Sequence, residues 1–280
     1  MVDSWFPGHM VKARREISEN LKLVDVVIEI LDARAPQSTR NLELENMCRS
    51  KPVLMVLNKI DLVGTEDLNS WVNKLNREGF TAVGINAITG EGKKSIIPII
   101  EKLYQPAAEI MKAKKRRIRP PRVMVVGIPN VGKSTFLNSM VGKKMARTGS
   151  QPGVTRGKQW VRVEGRLDLL DTPGLMWPRI SEPDQGLKLA ALAILGQKAY
   201  TNEEVARYLI RVLQKSAPQD LEARFGITGV ADLDEEQVME GIARFRGFAD
   251  QKGYDHNKTA VFILGEFRKG RMARIVLDEL

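Results

Sequence analysis

The sequence predicts an α/β domain with a mostly parallel sheet and helices on both of its faces, followed by a small all-α domain. Three observations support this fold class. Between residues 21 and 104, short apolar runs alternate with longer amphipathic segments, which is typical of parallel strands joined by crossover helices. Residues 122–141 repeat this alternation around a glycine-rich loop, and from about residue 181 the apolar spacing is helical. We therefore divide the chain into an arm at 1–20, an α/β domain at 21–180 and a helical domain at 181–280.

The elements of the first half follow one another closely. The arm contains a turn at residues 5–10 and a basic amphipathic helix that begins near Met10. Strands are predicted at 24–31, 53–57 and 81–85, and helices at about 40–49, 66–78 and 93–104. Gly79 ends the second of these helices, because glycine is favoured just after a helix C-terminus.

Residues 105–122 are predicted to be a basic linker. Between residues 112 and 122 the chain carries seven positive charges and two prolines, and proline does not continue a helix. Such a segment is either a solvated spacer or a contact for RNA phosphates.

The second half begins with a strand that ends at Gly127 and a helix that opens at Lys133. Residues 143–156 are predicted to be a loop, and strands at 158–164 and 166–170 form a tight hairpin around Gly165. Thr201 and Glu204 form a capping box for a helix that ends before Pro218. Further helices are predicted at about 185–196, 219–225, 235–250 and 256–269.

The order of the nucleotide-binding motifs identifies the α/β domain. Residues 127–134 read G-I-P-N-V-G-K-S, a phosphate loop, and the N-K-x-D motif at 58–61 and Asn86-Ala87 precede it. Thr155 and the D-T-P-G motif at 171–174 follow it. In an ordinary GTPase the phosphate loop comes first and N-K-x-D comes near the end. The sequence therefore predicts a circularly permuted P-loop GTPase domain, in which the linker joins what would otherwise be two free ends.

The phosphate loop carries most of the predicted chemistry. The Lys133 ammonium lies between the β- and γ-phosphates, and loop amides bind the phosphate oxygens. The residues that supply these amides are Asn130, Val131, Gly132, Lys133, Ser134 and Thr135.

Magnesium ligands are expected from three separate motifs. The Ser134 hydroxyl binds Mg²⁺ directly, and the Asp171 carboxylate acts through water. Thr155 binds the ion only when the γ-phosphate is present, and the Gly174 amide contacts that phosphate in the same state.

Guanine recognition is assigned to residues before the loop. Asp61 accepts hydrogen bonds from the guanine N1 and exocyclic amine, a pairing that adenine cannot reciprocate. The Asn58 side chain and the Ala87 amide are predicted to contact N7 and O6 of the base. Lys59, Ile60 and Asn86 complete the two loops. GTP and GDP are therefore the expected nucleotides.

Three residues bear on hydrolysis. Leu175 follows D-T-P-G where Ras-like enzymes carry a water-orienting glutamine, so intrinsic hydrolysis is expected to be slow. Asn130 either stabilises the loop or helps to hold K⁺, as in potassium-activated GTPases. His9 either belongs to an ordinary turn or reaches the hydrolytic water, because the permutation starts the arm near the active-site side of the sheet.

Composition excludes several classes of protein. The single cysteine, Cys48, excludes a disulfide framework and a multi-cysteine zinc site, and no apolar run is long enough to span a membrane. Residues 1–180 hold 30 Lys/Arg and 18 Asp/Glu, whereas residues 181–280 hold 14 and 16. The basic excess favours a polyanionic partner such as RNA, with solubility as the alternative. We expect a cytoplasmic monomer that does not bind membranes.

Five motifs in this order resemble the ribosome biogenesis GTPase A family, the RbgA or YlqF type. They are residues 5–10 (W-F-P-G-H-M), 32–36 (D-A-R-A-P), 58–61, 127–134 and 171–174, and the resemblance covers essentially the whole chain. It implies a bacterial factor that binds the rRNA and proteins of a late large-subunit precursor and hydrolyses GTP during its maturation. It also implies that His9 is a candidate catalytic residue.

Two other functions agree with parts of the sequence. An RNA-binding scaffold that uses nucleotide only for structure is favoured by Leu175 alone, whereas intact Lys133, Ser134, Thr155 and Asp171 favour hydrolysis. A permuted GTPase of small-subunit maturation usually carries an N-terminal OB domain and a zinc site, and the sequence predicts neither.

Overall fold

The computed structural model describes residues 7–141, 159–171, 180, 182–195, 199–251 and 253–280, and for residues 7–13, 159 and 171 it describes the backbone alone. The chain forms two compact units. The first consists of Met1–Ile60, Leu68–Arg179 and Leu280, and the second of Asp61–Asp67 and Ile180–Glu279. Among the described residues, no helix combines the length and the apolar character that crossing a membrane requires.

A six-stranded sheet forms the centre of the first unit. Its strands are β1 (Val26–Asp32), β2 (Val53–Asn58), β3 (Thr81–Ile85), β4 (Arg122–Val126), β5 (Gln159–Val163) and β6 (Leu167–Asp171). They lie in the order β3-β2-β1-β4-β6-β5, and every pair is parallel except β5 with β6. All seven residues of β1 are buried, so both faces of the sheet are covered. The predicted fold class is confirmed.

One helix precedes the first strand of this sheet, and the others lie between its strands in the chain. They are α1 (Pro7–Leu21), α2 (Leu42–Cys48), α3 (Thr65–Arg77), α4 (Ile96–Ala113) and α5 (Lys133–Val141), with 3-10 turns at Ile60–Leu62 and Lys93–Ser95. The predicted hairpin is also confirmed. Glu164 and Gly165 both have positive φ, 49° and 71°, which is the geometry of a type I′ turn.

Helix α1 covers one face of the sheet and runs antiparallel to β1. Ile17 and Leu21 pack with residues of α2 and of the sheet, and Leu21 lies next to the start of β1 in the chain. Arg14 forms an ion pair of 3.4 Å with Glu43, which begins α2 just after the loop that follows β1. The first turn of α1, which contains His9, therefore points toward the carboxyl edge of the sheet. The helix begins at Pro7 rather than near Met10, in agreement with the preference for proline in a first helical turn.

Helix α4 is longer than predicted, which corrects the boundaries of the linker. The prediction ended this helix at residue 104, but the helix continues past Pro106 to Ala113. Pro106 removes one backbone hydrogen bond, and the strong helix formers among residues 107–113 offset that loss. The irregular connection therefore covers residues 114–121. Asp25 fixes its end, because it accepts hydrogen bonds from the Arg119 guanidinium at 2.7 Å and from the Arg122 amide at 2.8 Å.

The second unit is mostly helical. Its helices are α6 (Pro183–Ala191), α7 (Asn202–Ser216), α8 (Pro218–Phe225), α9 (Glu235–Arg246) and α10 (His256–Arg268), with a two-residue hairpin of β7 (Ala249–Asp250) and β8 (Gly253–Tyr254). The capping box of Thr201 and Glu204 is present. Helix α9 ends at Arg246 instead of residue 250, because Gly247 adopts the left-handed conformation that caps it.

Candidate nucleotide-binding site

The predicted nucleotide motifs lie at the carboxyl edge of the sheet. The phosphate loop follows β4, N-K-x-D follows β2, and Asn86-Ala87 follows β3. The chain winds outward from β1 to β3 on one side, while β4 lies on the other side of β1. In open parallel sheets, ligands bind at the carboxyl ends of strands where the winding direction changes. The gap between β1 and β4 is such a point.

The conformation of the phosphate loop requires glycine at two positions. Gly127 has a φ of +143°, and a Cβ there would lie 2.6 Å from the Ile30 carbonyl oxygen. Gly132 has a φ of +102°, and a Cβ there would lie 2.2 Å from the Asn58 side-chain nitrogen. The backbone of this loop therefore approaches β1 and the N-K-x-D motif without intervening side chains.

Lys133, Ser134 and Thr135 form the first turn of α5. The Lys133 ammonium donates to the Ile128 carbonyl at 2.6 Å, so this side chain folds back over the loop. The unpaired amides and the positive dipole of a helix N-terminus favour bound anions. The loop and α5 thus provide the surroundings that a nucleotide phosphate requires.

Asn58 joins three loops of the site. Its buried side-chain nitrogen donates to the Val131 carbonyl in the phosphate loop at 2.9 Å, and its side-chain oxygen accepts from the Ala87 amide at 3.0 Å. The sequence predicted that Asn58 and the Ala87 amide contact the base. Here the two groups bond to each other and Asn58 also bonds to the phosphate loop, while their contacts with the base stay predictions. Asn58 holds the base-recognition loops against the phosphate-binding loop.

The remaining members of the two guanine loops have different surroundings. The Asn86 side chain is buried, and its oxygen accepts from the Ile88 and Thr89 amides at 2.9 and 3.1 Å. This residue therefore shapes its own loop. Ile60 is half-buried, and Asp61 is exposed in the 3-10 turn that follows β2.

Lys59 provides a second connection between N-K-x-D and the phosphate loop. It adopts a positive φ of 67°, and its ammonium donates to the Asn130 carbonyl at 3.0 Å and to Asp32 at 2.7 Å. Asn130 itself has a φ of 64°. Lys59 and Asn130, which both have a left-handed backbone conformation, therefore lie opposite each other in the site.

Asp32 and Arg34 form a buried ion pair beneath Lys59. The Arg34 guanidinium makes two hydrogen bonds, of 2.9 and 2.8 Å, with the two carboxylate oxygens of Asp32. Burial alone would raise the pKa of the Asp32 carboxyl, but the charges of Arg34 and Lys59 hold that pKa well below its usual range. Asp32 is therefore ionised and orients Lys59 across the whole working pH range.

Sequence reasoning did not assign Asp32 and Arg34 to the site. The available signal was their position, because Asp32 ends β1 and pairs in register with Asn58 at the end of β2. A charged side chain at the carboxyl end of a central parallel strand is a candidate for a site residue.

We predict that Asp32→Ala weakens GDP binding and destabilises the first unit. Removing one partner of a buried ion pair typically costs about 3–5 kcal/mol, and Lys59 loses the group that orients it. The measurements are the GDP dissociation constant and the midpoint of urea unfolding. Asp25→Ala is the matched control, because Asp25 pairs with Arg119 at the opposite edge of the sheet. If both variants bind GDP equally well, Asp32 has no role at the site.

Several predicted site residues lie outside the described residues. They are Thr155, Gly174 and Leu175, together with the side chains of His9 and Asp171. The backbone of Asp171 ends β6, and β6 lies beside β4. The structure therefore neither brings these groups together nor separates them, and their roles stay predictions.

Comparisons with known proteins identify relatives over nearly the whole chain. A family model described as 50S ribosome-binding GTPase matches residues 122–237. Ribosome biogenesis GTPase A of Bacillus cereus is 38% identical over 279 residues, which are 99% of this chain and 94% of that protein. Mitochondrial ribosome-associated GTPase 1 of Mus musculus is 33% identical and matches 99% of this chain and 90% of its own.

A solved structure shares the fold. The crystal structure of GNP-bound YlqF from T. maritima matches with a TM-score of 0.66 and 25% sequence identity, and the match covers 96% of this chain and 98% of that one. That structure is GNP-bound, which agrees with a guanine-nucleotide site in the first unit.

Proposed function

The chain belongs to the ribosome biogenesis GTPase A family, and from this premise we propose that it assists late maturation of the large ribosomal subunit in the cytoplasm. It is a GTPase that binds guanine nucleotides and whose partners are ribosomal. We further propose that its binding partner is a precursor of the large ribosomal subunit. The protein binds this particle as a monomer, through rRNA and ribosomal proteins, and binding depends on the bound nucleotide. The name of the matching family model, 50S ribosome-binding GTPase, supports this choice of subunit.

The observation that carries the proposal is the pair of hydrogen bonds made by the Asn58 side chain, which donates to the Val131 carbonyl and accepts from the Ala87 amide. They bring the base-recognition loops and the phosphate loop, which lie in reversed order along the chain, into one site. A change at the γ-phosphate can therefore act on both loops together. This coupling is what a switch that reports its nucleotide state to a partner requires.

Sedimentation with ribosomal particles tests this function. The protein is mixed with large-subunit precursors, with mature large subunits or with small subunits, in the presence of GDP or of a non-hydrolysable GTP analogue. We expect cosedimentation with the large-subunit precursor, and more of it with the GTP analogue than with GDP. Equal recovery with both nucleotides, or preferential recovery with small subunits, would contradict the proposal.

Magnesium and potassium ions fit the residues present. The Ser134 hydroxyl lies in the first turn of α5, and with Thr155 and a water held by Asp171 it would hold Mg²⁺. When bound, the ion neutralises charge that develops on the phosphates. Asn130, whose φ is +64°, would help to hold K⁺ beside the phosphates.

We predict that potassium accelerates hydrolysis relative to sodium at equal ionic strength. The measurement is phosphate release in the two salts, for the wild type and for Asn130→Ala. The variant should lose the difference between the salts. Equal rates for the wild type in both salts would leave Asn130 as a loop-stabilising residue only.

We also propose that His9 assists hydrolysis on the ribosomal particle, because Leu175, in place of the glutamine of Ras-like enzymes, cannot hydrogen-bond the attacking water. The direction of α1 supports this, because its first turn points toward the carboxyl edge of the sheet. From Leu21 back to His9 the helix rises about 18 Å, which is close to the length of β1.

We predict that His9→Ala lowers particle-stimulated GTP turnover by about 10²- to 10⁴-fold if the imidazole acts as general base, and by less if it only orients water. The GDP dissociation constant should stay unchanged. His256→Ala, in the other histidine of the chain, is the matched control. Unchanged stimulated turnover would refute the assignment, and loss of particle binding would show that α1 is a docking element instead.

A further inference from the structure

The sheet of the first unit ends on one side at β5, which pairs with β6 alone among the described strands. In an edge strand, alternate backbone N–H and C=O groups point away from the sheet and can pair with another extended chain. Native proteins often block such pairing with lysine or proline. Strand β5 reads Q-W-V-R-V, so it contains neither of them, and its five residues are an ordinary length for a strand. Its sequence and length therefore suit pairing with a further strand.

The two faces of β5 differ in their exposure. Val163 is buried and Val161 is half-buried, and helix α5 packs against the strand. Because successive strand residues point to opposite faces, the Trp160 and Arg162 side chains lie on the other face. Both are exposed, and 38% of the Trp160 surface is accessible. We call the face that carries Trp160 and Arg162 the open face of β5.

Residues of the neighbouring strands hold both side chains of the open face. The Arg122 guanidinium lies 5.3 Å from the centroid of the Trp160 ring, in a cation–π contact. The Arg162 guanidinium donates to the two carboxylate oxygens of Asp168, at 2.6 and 2.9 Å. Within the described part of the chain, Arg122 makes no ion pair of 4.0 Å or less. Two guanidinium groups therefore lie here with one carboxylate, and the open face is positively charged.

Strand β5 is close to elements that carry the phosphate chemistry. In the hairpin, Gln159 pairs with Asp171, which begins the D-T-P-G motif, and Trp160 pairs with Leu170. Helix α5, which packs against β5, begins at Lys133 of the phosphate loop. A segment that pairs with β5 is therefore joined, through one strand and one helix, to residues expected to act on the γ-phosphate and its magnesium ion.

The occupant that fits this edge is an extended polypeptide. A peptide backbone supplies amide and carbonyl groups at the spacing of a strand, whereas RNA does not. On the open face, the paired segment should place an aromatic or β-branched side chain beside Trp160 and a carboxylate beside Arg162. A pairing of five residues is marginal by itself, so it suits a partner that other contacts already hold. A second copy of this chain joined through β5 alone lacks such contacts.

We propose that β5 binds an extended segment of a ribosomal protein in the large-subunit precursor, which adds to the sheet as a further strand. This inference rests on the proposed function and assigns a protein partner to one surface of the GTPase domain. Because β5 lies beside the strand that ends in Asp171, the segment and the γ-phosphate should favour each other's binding. The pairing should therefore be tighter in the GTP state than in the GDP state.

Photo-cross-linking tests which molecule lies on the open face. In the full-length protein, the photoreactive residue p-benzoylphenylalanine replaces Trp160, and the protein is illuminated with purified large-subunit precursors and GDP or a non-hydrolysable GTP analogue. We expect a cross-link to one ribosomal protein, with a higher yield in the GTP analogue. The same replacement of Ile110, which is 57% exposed on α4, is the matched control and should not cross-link that protein. Cross-links to RNA alone, or to a second copy of the chain, would overturn the inference.

Cosedimentation of variants with the precursor measures the contribution of the two side chains. Trp160→Thr keeps a residue that favours strands and should weaken binding in the GTP analogue by about 5- to 30-fold, the effect of removing an aromatic anchor from an interface. Trp160→Phe should restore most of this loss. Arg162→Glu should weaken binding by at least about 5-fold, because it places two like charges side by side.

Arg166→Glu is the matched control on the same hairpin. It makes the same change of charge and also breaks an exposed ion pair, with Glu101, and it should bind the precursor within about twofold of the wild type. Every variant should keep the GDP affinity of the wild type. If Trp160→Thr and Arg162→Glu cosediment as well as Arg166→Glu does, the inference is overturned and the proposed function stands. Wild-type protein that does not cosediment with the precursor would contradict the proposed function itself.

Discussion

Asp61→Asn is expected to convert the protein from guanine to xanthine nucleotide binding. The Asp61 carboxylate lies exposed in the 3-10 turn after β2, where it is available to accept from the guanine N1 and amine. An asparagine amide cannot accept both hydrogens, but it can donate to the carbonyl that xanthine carries at the same position. Hydrogen bonds to a charged group contribute about 1.5–3 kcal/mol each, so GDP affinity should fall at least about 100-fold.

The measurement compares dissociation constants for GDP and xanthosine diphosphate. Glu66→Gln, which removes an exposed carboxylate at the start of α3, is the matched control and should bind GDP as the wild type does. A GDP preference that survives Asp61→Asn would show that residues 58–61 do not read the base.

Gly132→Ala is expected to disconnect the phosphate loop from the base-recognition loops. The new Cβ would lie 2.2 Å from the Asn58 nitrogen, on a backbone whose φ is +102°. Strain at such a φ costs about 1–3 kcal/mol, and an overpacked contact costs about as much again. Because Asn58 must move away, its bonds to Val131 and Ala87 break together. We expect GDP affinity to fall by about 10²-fold or more and the unfolding temperature to decrease.

Gly165→Ala provides the control for this substitution. Gly165 also has a positive φ, +71°, but no atom lies within 4 Å of the Cβ that alanine would add. This variant carries the backbone strain without the collision, so it should lose some stability and keep its GDP affinity. If Gly132→Ala affects GDP binding no more than Gly165→Ala does, the contact with Asn58 is not essential to the site.

Local patterns were sufficient to predict most of the sheet. Alternating apolar runs located all three strands of the first half, and the glycine of the type I′ turn located the β5–β6 hairpin. The two residues Thr201 and Glu204 were sufficient to place the start of α7. In each case the determining interaction lies within a few residues of the chain, which is why the sequence reveals it.

The parts that sequence reasoning missed depend on contacts between distant residues. The bond from Asn58 to Val131 joins positions 73 residues apart, and Lys59 reaches Asn130 over 71 residues. The role of Asp32 depends on Lys59 lying above it, which requires the in-register pairing of β1 with β2. The prediction ended α4 at residue 104, whereas the helix formers among residues 107–113 continue the helix past Pro106 to Ala113.

During synthesis, the half of the site that reads the base leaves the ribosome before the half that binds phosphate. A nascent chain that has been made as far as Ala113 contains β1, β2 and β3, but it lacks β4 and the Val131 carbonyl that Asn58 requires. Proteins fold progressively from the N-terminus as they are made. In the permuted order, the base-recognition loops are therefore made first, and the site is completed when the phosphate loop and α5 have followed them.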